Sequence, residues 1–275
     1  MGNALFIVWR ETIEAMLVIG ILHGWLAARP QARAGLPWLW GGIASGIGLA
    51  LLLAVALTGL QSAVAPTTLE WLQAIMPLAA CALIVQMVWW MGRHGASLKG
   101  DLETSMARAS DRANWLGIAV LAAVAVGREG AETVVFLYGA VQGRSGVGVA
   151  LAGGLGFLLA LAAYWVLSRG ERFFFSWRTF FRVTEVLLLC LGGALLVDGT
   201  ERLVGLEAVP ALISPLWDTS SLLDEGTRVG GLVAALTGYR AMPSGVAYLL
   251  LGLYWVLAFT VLARPKPTRS GAGPA

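Results

Sequence analysis

Uninterrupted apolar runs, each long enough to cross a lipid bilayer, follow one another through this sequence and constrain its fold more than any other feature. A spanning helix needs about 20 apolar residues. Runs of that kind fall at about residues 4–28, 36–61, 69–92, 114–142, 147–168, 179–199 and 244–263. Composition excludes the alternatives. Hydrophobic residues make up 58% of the chain and charged residues 13%, whereas soluble domains carry about 45–50% apolar and ~25% charged residues. Disorder requires the opposite balance, and the strands of a transmembrane barrel alternate apolar with polar residues. The expected fold is all-α and integral to the membrane, with seven transmembrane helices in a single domain. The first run holds Arg10, Glu11 and Glu14 and has no basic leader, so it reads as a span and not as a cleaved signal.

The flanking charges set an expected orientation. Thirteen cations fall on one side of these spans: Arg29, Arg33, Arg93, Lys99, Arg108, Arg112, Arg169, Arg172, Arg178, Arg182, Arg264, Lys266 and Arg269. Only four, Arg144, Arg202, Arg228 and Arg240, fall on the other. Cationic loops stay in the cytoplasm, which puts the N-terminus outside and the C-terminus inside. The long segment at about 200–243 then lies outside, with Glu201, Glu207, Asp218, Asp224 and Glu225, and Thr219 to Ser221 look like a helix start there. The net charge of +3 is ordinary and gives no reason to expect nucleic acid. Cys81 and Cys190 sit in apolar runs as small hydrophobes, and with two histidines in all a His/Cys zinc site is not expected.

Two spans carry the same charged signature. Arg10-Glu11-Thr12-Ile13-Glu14 and Arg128-Glu129-Gly130-Ala131-Glu132 both read R-E-x-x-E and begin 118 residues apart. Gly46-Ile47-Gly48 is echoed by Gly154-Leu155-Gly156, and Cys81 by Cys190. These echoes suggest a three-plus-three repeat, about 1–100 and about 112–203, with the seventh helix added at about 244–263. A unit of three spans is odd, so the second copy lies inverted in the membrane. Inverted repeats are a transporter architecture with the site near mid-depth.

At about 100° per residue, the arginine and both glutamates of each motif share one wedge of their helix. A charged residue at mid-bilayer costs about 2.5–3.5 kcal/mol, so six would cost roughly 15–20 kcal/mol if they faced lipid unpaired. They must face inward, toward one another, water or an ion. Four glutamates and two arginines sum to −2, which a divalent cation neutralises. Carboxylate oxygens suit hard or borderline metals. Two other roles fit the same residues: plain ion pairs that lock helices together, and a proton relay. Locking needs one glutamate per arginine and leaves a surplus glutamate in each motif.

The doubled R-E-x-x-E, in spans one and four of seven, resembles the oxidase-dependent iron permease family, of the Ftr and EfeU type. Similarity extends over nearly the whole chain. It includes Trp90-Met91 before Leu98-Lys99, the stretch from Leu216 to Ser220, Gly238-Tyr239-Arg240, Pro243-Ser244, and the opening from Phe6 to Glu11. The resemblance implies high-affinity iron import across the cytoplasmic membrane, with no enzyme activity and no permanently bound cofactor. It implies that Glu11, Glu14, Glu129 and Glu132 bind iron in transit, with Arg10 and Arg128 as charged neighbours. It also implies an outer-side or periplasmic partner that oxidises or delivers iron. Another divalent ion, such as manganese or lead, would use the same carboxylates. An intramembrane acid–base enzyme would need a nucleophile near a single site, and duplication of the motif argues against it. Glu185, inside the sixth span near Arg182, and Asp198, at its outer end, are further candidates for lining the path. Glu70 reads as a charge near the N-terminal dipole of the third span, and His23 as a satisfied polar residue.

Overall fold

The computed structural model describes residues 2–94, 98–111, 114–140, 146–169 and 177–262, which are mostly helical, with a long irregular stretch at 206–227, and contain no strand among the described residues. The helices are α1 (Gly2–Ala27), α2 (Leu36–Ala63), α3 (Pro66–His94), α4 (Leu98–Asp111), α5 (Trp115–Ala140), α6 (Gly146–Arg169), α7 (Trp177–Gly205), α8 (Arg228–Thr237) and α9 (Gly245–Leu262). A 3-10 turn at Pro30–Gly35 joins α1 to α2. Of the cations that set the expected orientation, Arg112, Arg144, Arg172, Arg264, Lys266 and Arg269 lie outside the described residues.

Among the described residues, four stretches are long and apolar enough to cross a membrane by length and composition: Pro30–Ala63, Pro66–Arg93, Gly146–Trp165 and Arg182–Gly205. The protein is a multi-pass membrane protein. α1 and α5 have 26 residues each, about 39 Å of helix, but each carries its Arg-Glu-x-x-Glu charges mid-length. α9 is shorter and has no charged residue.

Close helix approach follows from small residues. A Cβ on Gly42 would collide with the Ala119 carbonyl, and one on Gly46 would lie 2.8 Å from both Ala123 O and Gly127 N. These glycines let the α2 and α5 backbones touch, the usual device where no hydrophobic effect drives helices together. The same contact recurs between α6 and α1: a Cβ on Gly156 would strike the Leu5 carbonyl and lie 3.1 Å from Trp9 N. Leu5 and Trp9 stand 118 residues before Ala123 and Gly127, the interval that separates the two motifs. Contact numbering rises together along α2 with α5 and along α1 with α6. It runs opposite along α3 with α7, where Ile84 meets Gly192 and Leu78 meets Gly199.

Three expectations need correction. Gly46 corresponds in its packing to Gly156, not to Gly154, so the glycine echo is displaced by two residues. Residues two apart point about 200° away from each other, and Gly48 and Gly154 face open space. The connection read as a loop between the third and fourth spans contains α4, which buries Leu102 and Met106 one turn apart against Trp25 and Leu26 of α1. The helix expected in the 200–243 segment starts not at Thr219–Ser221 but at Arg228, where the Thr227 hydroxyl accepts from Gly230 N at 3.0 Å. Asp218 uses its carboxylate on Ser220 in a local turn instead.

Two apolar clusters fill the interior. One gathers Ile7, Ile84, Met87, Phe136, Leu188 and Tyr254 from α1, α3, α5, α7 and α9. The other gathers Leu22, Trp25, Leu39, Ile43, Met106 and Ile118 from α1, α2, α4 and α5. On α1 the charged motif lies between Ile7 and Leu22, and on α5 between Val126 and Phe136. The glycine seams give a contrast of sign. Gly46→Ala and Gly156→Ala force two backbones apart and destabilise the detergent-solubilised protein by about 1–3 kcal/mol. Gly48→Ala and Gly154→Ala leave it unchanged or stabilise it by up to about 1 kcal/mol through helix propensity. Thermal unfolding of the four variants reads the difference.

Candidate metal centre

The first motif is buried almost completely. Arg10, Glu11 and Glu14 are 3%, 1% and 8% exposed. Arg10 Nη1 donates to Glu11 Oε1 at 2.6 Å, and Nη2 pairs with Glu14 one turn along. The same guanidinium also meets α3, with Nη1 3.3 Å from the Met87 sulfur and Nη2 3.6 Å from the Met91 sulfur. In the second motif Arg128 Nε donates to Glu132 Oε1 at 2.8 Å, and the guanidinium lies over the Trp90 ring at 4.7 Å. Cation–π contact of this kind is strongest when desolvated. The arginine side chains differ in exposure, 39% for Arg128 against 3% for Arg10.

The crossing of α1 and α5 joins the motifs. One carboxylate oxygen each from Glu11, Glu14 and Glu129 lie within 4.8 Å of one another. Glu132 stays with Arg128 and is outside that trio. Glu11 Oε2, Glu129 Oε2 and Glu132 Oε2 are buried without a hydrogen-bond partner. An orphaned buried acceptor costs about 1–3 kcal/mol, more when charged, so a group built only to lock helices would not leave three. With Arg128 paired to Glu132, Arg10 and three ionised carboxylates together carry −2, which a divalent ion neutralises. The oxygens are hard donors converging from two helices, which is the chemistry of a cation site.

The remaining sequence candidates lie elsewhere. Glu185 is half-buried on α7 and does not join the carboxylate trio. Asp198, also on α7, belongs to an ion-pair network with Arg202 Nε at 3.0 Å and Arg240 Nη2 at 2.6 Å. Arg240 also bonds Glu225 at 2.6 Å, and Glu225 accepts from Ala241 N at 2.7 Å. Burial opposes charge on Arg240. The Glu225 hydrogen bond and the Asp198 charge outweigh it and hold its pKa above the ordinary arginine value. Glu201 accepts from the Ser244 amide and hydroxyl ahead of α9. This network borders a cavity of about 190 Å³ lined in part by Asn3, Ala140, Asp198, Arg202, Glu225 and Arg240. Asn3 is eight residues before Glu11 on α1, about 12 Å along the helix, with Ile7 between them. His23 is exposed, edge-on to Trp40, and Glu70 is exposed at the start of α3. Sequence reasoning missed the contacts of Met87, Trp90 and Met91 with the arginines. Their signal was the i,i+4 spacing that puts both sulfurs on one face of α3.

The sequence profile of the iron permease FTR1 family matches residues 1–263. The chain belongs to that family. The permease is 27% identical over 276 residues to the ferrous iron permease EfeU of Shigella sonnei, covering 97% of this chain and 96% of the relative. It is 25% identical over 272 residues to the ferrous iron permease EfeU of Yersinia pestis, covering 97% and 94%. No solved structure matches. As a member of a permease family it is a transporter and not an enzyme.

Arg240 holds two carboxylates at once. Arg240→Gln leaves Asp198 and Glu225 without their shared cation and destabilises the permease by about 2 kcal/mol, in the range of a lost charged hydrogen bond. Limited proteolysis then cuts the 206–244 segment faster than in the parent protein.

Proposed function

We propose that this permease imports iron, taken up in the ferrous form, across the cytoplasmic membrane, and that Glu11, Glu14, Glu129 and Glu132 bind the ion on the way. The observation that carries the reading is the convergence of Glu11, Glu14 and Glu129 from two helices to within 4.8 Å, with buried oxygens left unpartnered. The family and the names of the relatives supply iron, and in those relatives ferrous iron, as the cargo.

The architecture proposed for this task has seven spans, α1, α2, α3, α5, α6, α7 and α9, in two inverted units of three plus one. Support comes from the packing. The α2–α5 and α1–α6 seams use matching backbone atoms at the 118-residue interval, and α3 runs against α7. Exchanging the two units leaves that set of contacts unchanged, as an axis in the membrane plane requires. With the N-terminus outside, the cavity beside Asn3 and Asp198 opens toward the outer face, and Ile7 and Phe136 separate it from the carboxylates. An outer-side protein that delivers iron would hand over its cargo there.

In transit the carboxylates replace part of the water shell of the ion. Arg10 and Arg128 limit repulsion between the carboxylates when no ion is bound and give way when it arrives. The inside-negative potential drives import with about 2.3 kcal/mol per charge per 100 mV, or about 4.6 kcal/mol for a divalent ion. A transporter of another divalent ion would use the same oxygens, and metal competition separates the two.

The test is radio-iron uptake in cells carrying Glu11→Gln, Glu14→Gln, Glu129→Gln or Glu132→Gln, with membrane levels measured. Each of the first three lowers uptake by about tenfold or more, since each removes a ligand charge, and about tenfold corresponds to only 1.4 kcal/mol. Normal uptake in all four sinks the reading. Ferrous and ferric iron are supplied in parallel, and faster transport of the ferric form overturns the ferrous assignment.

A further inference from the structure

We propose that Met87 and Met91 are thioether ligands of the transported ion and bias the site toward a borderline divalent metal over a hard trivalent one. This inference rests on the reading that Glu11 and Glu14 bind the ion.

Arg10 joins α1 to α3. Its guanidinium is the positive charge at the centre of four acceptors: Glu11 at 2.6 Å, Glu14, the Met87 sulfur at 3.3 Å and the Met91 sulfur at 3.6 Å. Two carboxylates from α1 and two thioethers from α3 therefore converge on one cation. A guanidinium has no need of sulfur, which is a weak acceptor. Arg10 Nε is itself buried with no hydrogen-bond partner, so the arginine is not satisfied where it lies. Withdrawal of Arg10 leaves a mixed oxygen–sulfur set around the space it held, with Glu129 approaching from α5.

The chemistry of that set is selective. Carboxylates accept divalent and trivalent ions alike, whereas thioethers are soft donors that add little to a hard ion. Ferrous iron is borderline and gains from sulfur; ferric and manganous ions gain less. Methionine also fills irregular gaps in apolar cores, and Met87 belongs to such a core. Leucine keeps the volume and removes the sulfur, so substitution separates packing from ligation.

The experiment measures ferrous uptake by the full-length permease with Met87→Leu and Met91→Leu, singly and together. Met242→Leu, exposed on the outer segment, is the control. The double variant is expected to raise the ferrous half-saturation concentration by about tenfold, the scale on which groups around a metal change its affinity. It also loses inhibition by cadmium, a soft divalent ion, and keeps inhibition by manganese. Unchanged half-saturation and an unchanged cadmium-to-manganese inhibition ratio overturn the proposal while Glu11→Gln still abolishes uptake. Normal uptake in the Glu11→Gln and Glu14→Gln variants instead overturns the carboxylate site and this inference with it. X-ray absorption of the purified protein loaded with cadmium gives a readout independent of transport. A sulfur shell that disappears in the double variant supports ligation, and an all-oxygen shell in the parent protein overturns it.

Discussion

The Arg10 guanidinium bridges Glu11, Glu14 and the sulfurs on α3, and the arrangement of the other helices follows from the need to surround it. Six ionisable side chains at mid-length on two helices are tolerable only if lipid never meets them. α1 therefore lies in the interior, against α5 and α6, and its motif is more buried than any other charged group described. Close approach of the α1 and α6 backbones requires Gly156, and that of α2 and α5 requires Gly42 and Gly46. The glycines are thus tied to the charges: a wider seam would admit lipid or water beside the carboxylates and remove the low dielectric in which they act.

That low dielectric has two consequences of opposite sign. It makes the empty site costly, because buried carboxylates with orphaned oxygens forgo hydration. It also strengthens every attraction to an arriving cation, since Coulomb interaction grows as the effective dielectric falls. A site left imperfectly paired is less stable without an ion and binds one more strongly. Apolar clusters flank the motif on either side, around Ile7 and Phe136 and around Leu22 and Ile118.

The helices were legible because their apolar runs are continuous and because Pro, Gly and charge punctuate them. The motif carboxylates were legible because charge in such runs has few explanations. Other features were not. α4 was missed because only Leu102 and Met106 mark its buried side, within an otherwise polar stretch. The glycine register was misread because a G-x-G pair offers two candidates on opposite faces, and only the neighbouring backbone decides which one matters. Asp198 borders the cavity, but its ion pairing was hidden from the sequence. Its partner Arg240 stands 42 residues away, a distance over which sequence spacing carries no information. Met87 and Met91 drew no notice because methionine in an apolar run is usually core, and only their contact with Arg10 separates them from the other methionines.

The two motifs are alike in sequence and unlike in surroundings. Arg10 is held by two glutamates and two sulfurs with almost no exposure, while Arg128 holds one glutamate, leans on Trp90 and keeps over a third of its side chain exposed. A strictly two-fold site would bind an ion with equal grip from both halves and give it no preferred way to leave. Here the α1 half supplies the tighter, drier contact and the α5 half the more accessible one. Glu129 belongs to the second half by sequence and to the first by position, since it joins Glu11 and Glu14 while Glu132 stays with Arg128. The same charges thus occur in both motifs, and the difference in what surrounds them is what can turn a binding site into a step along a path.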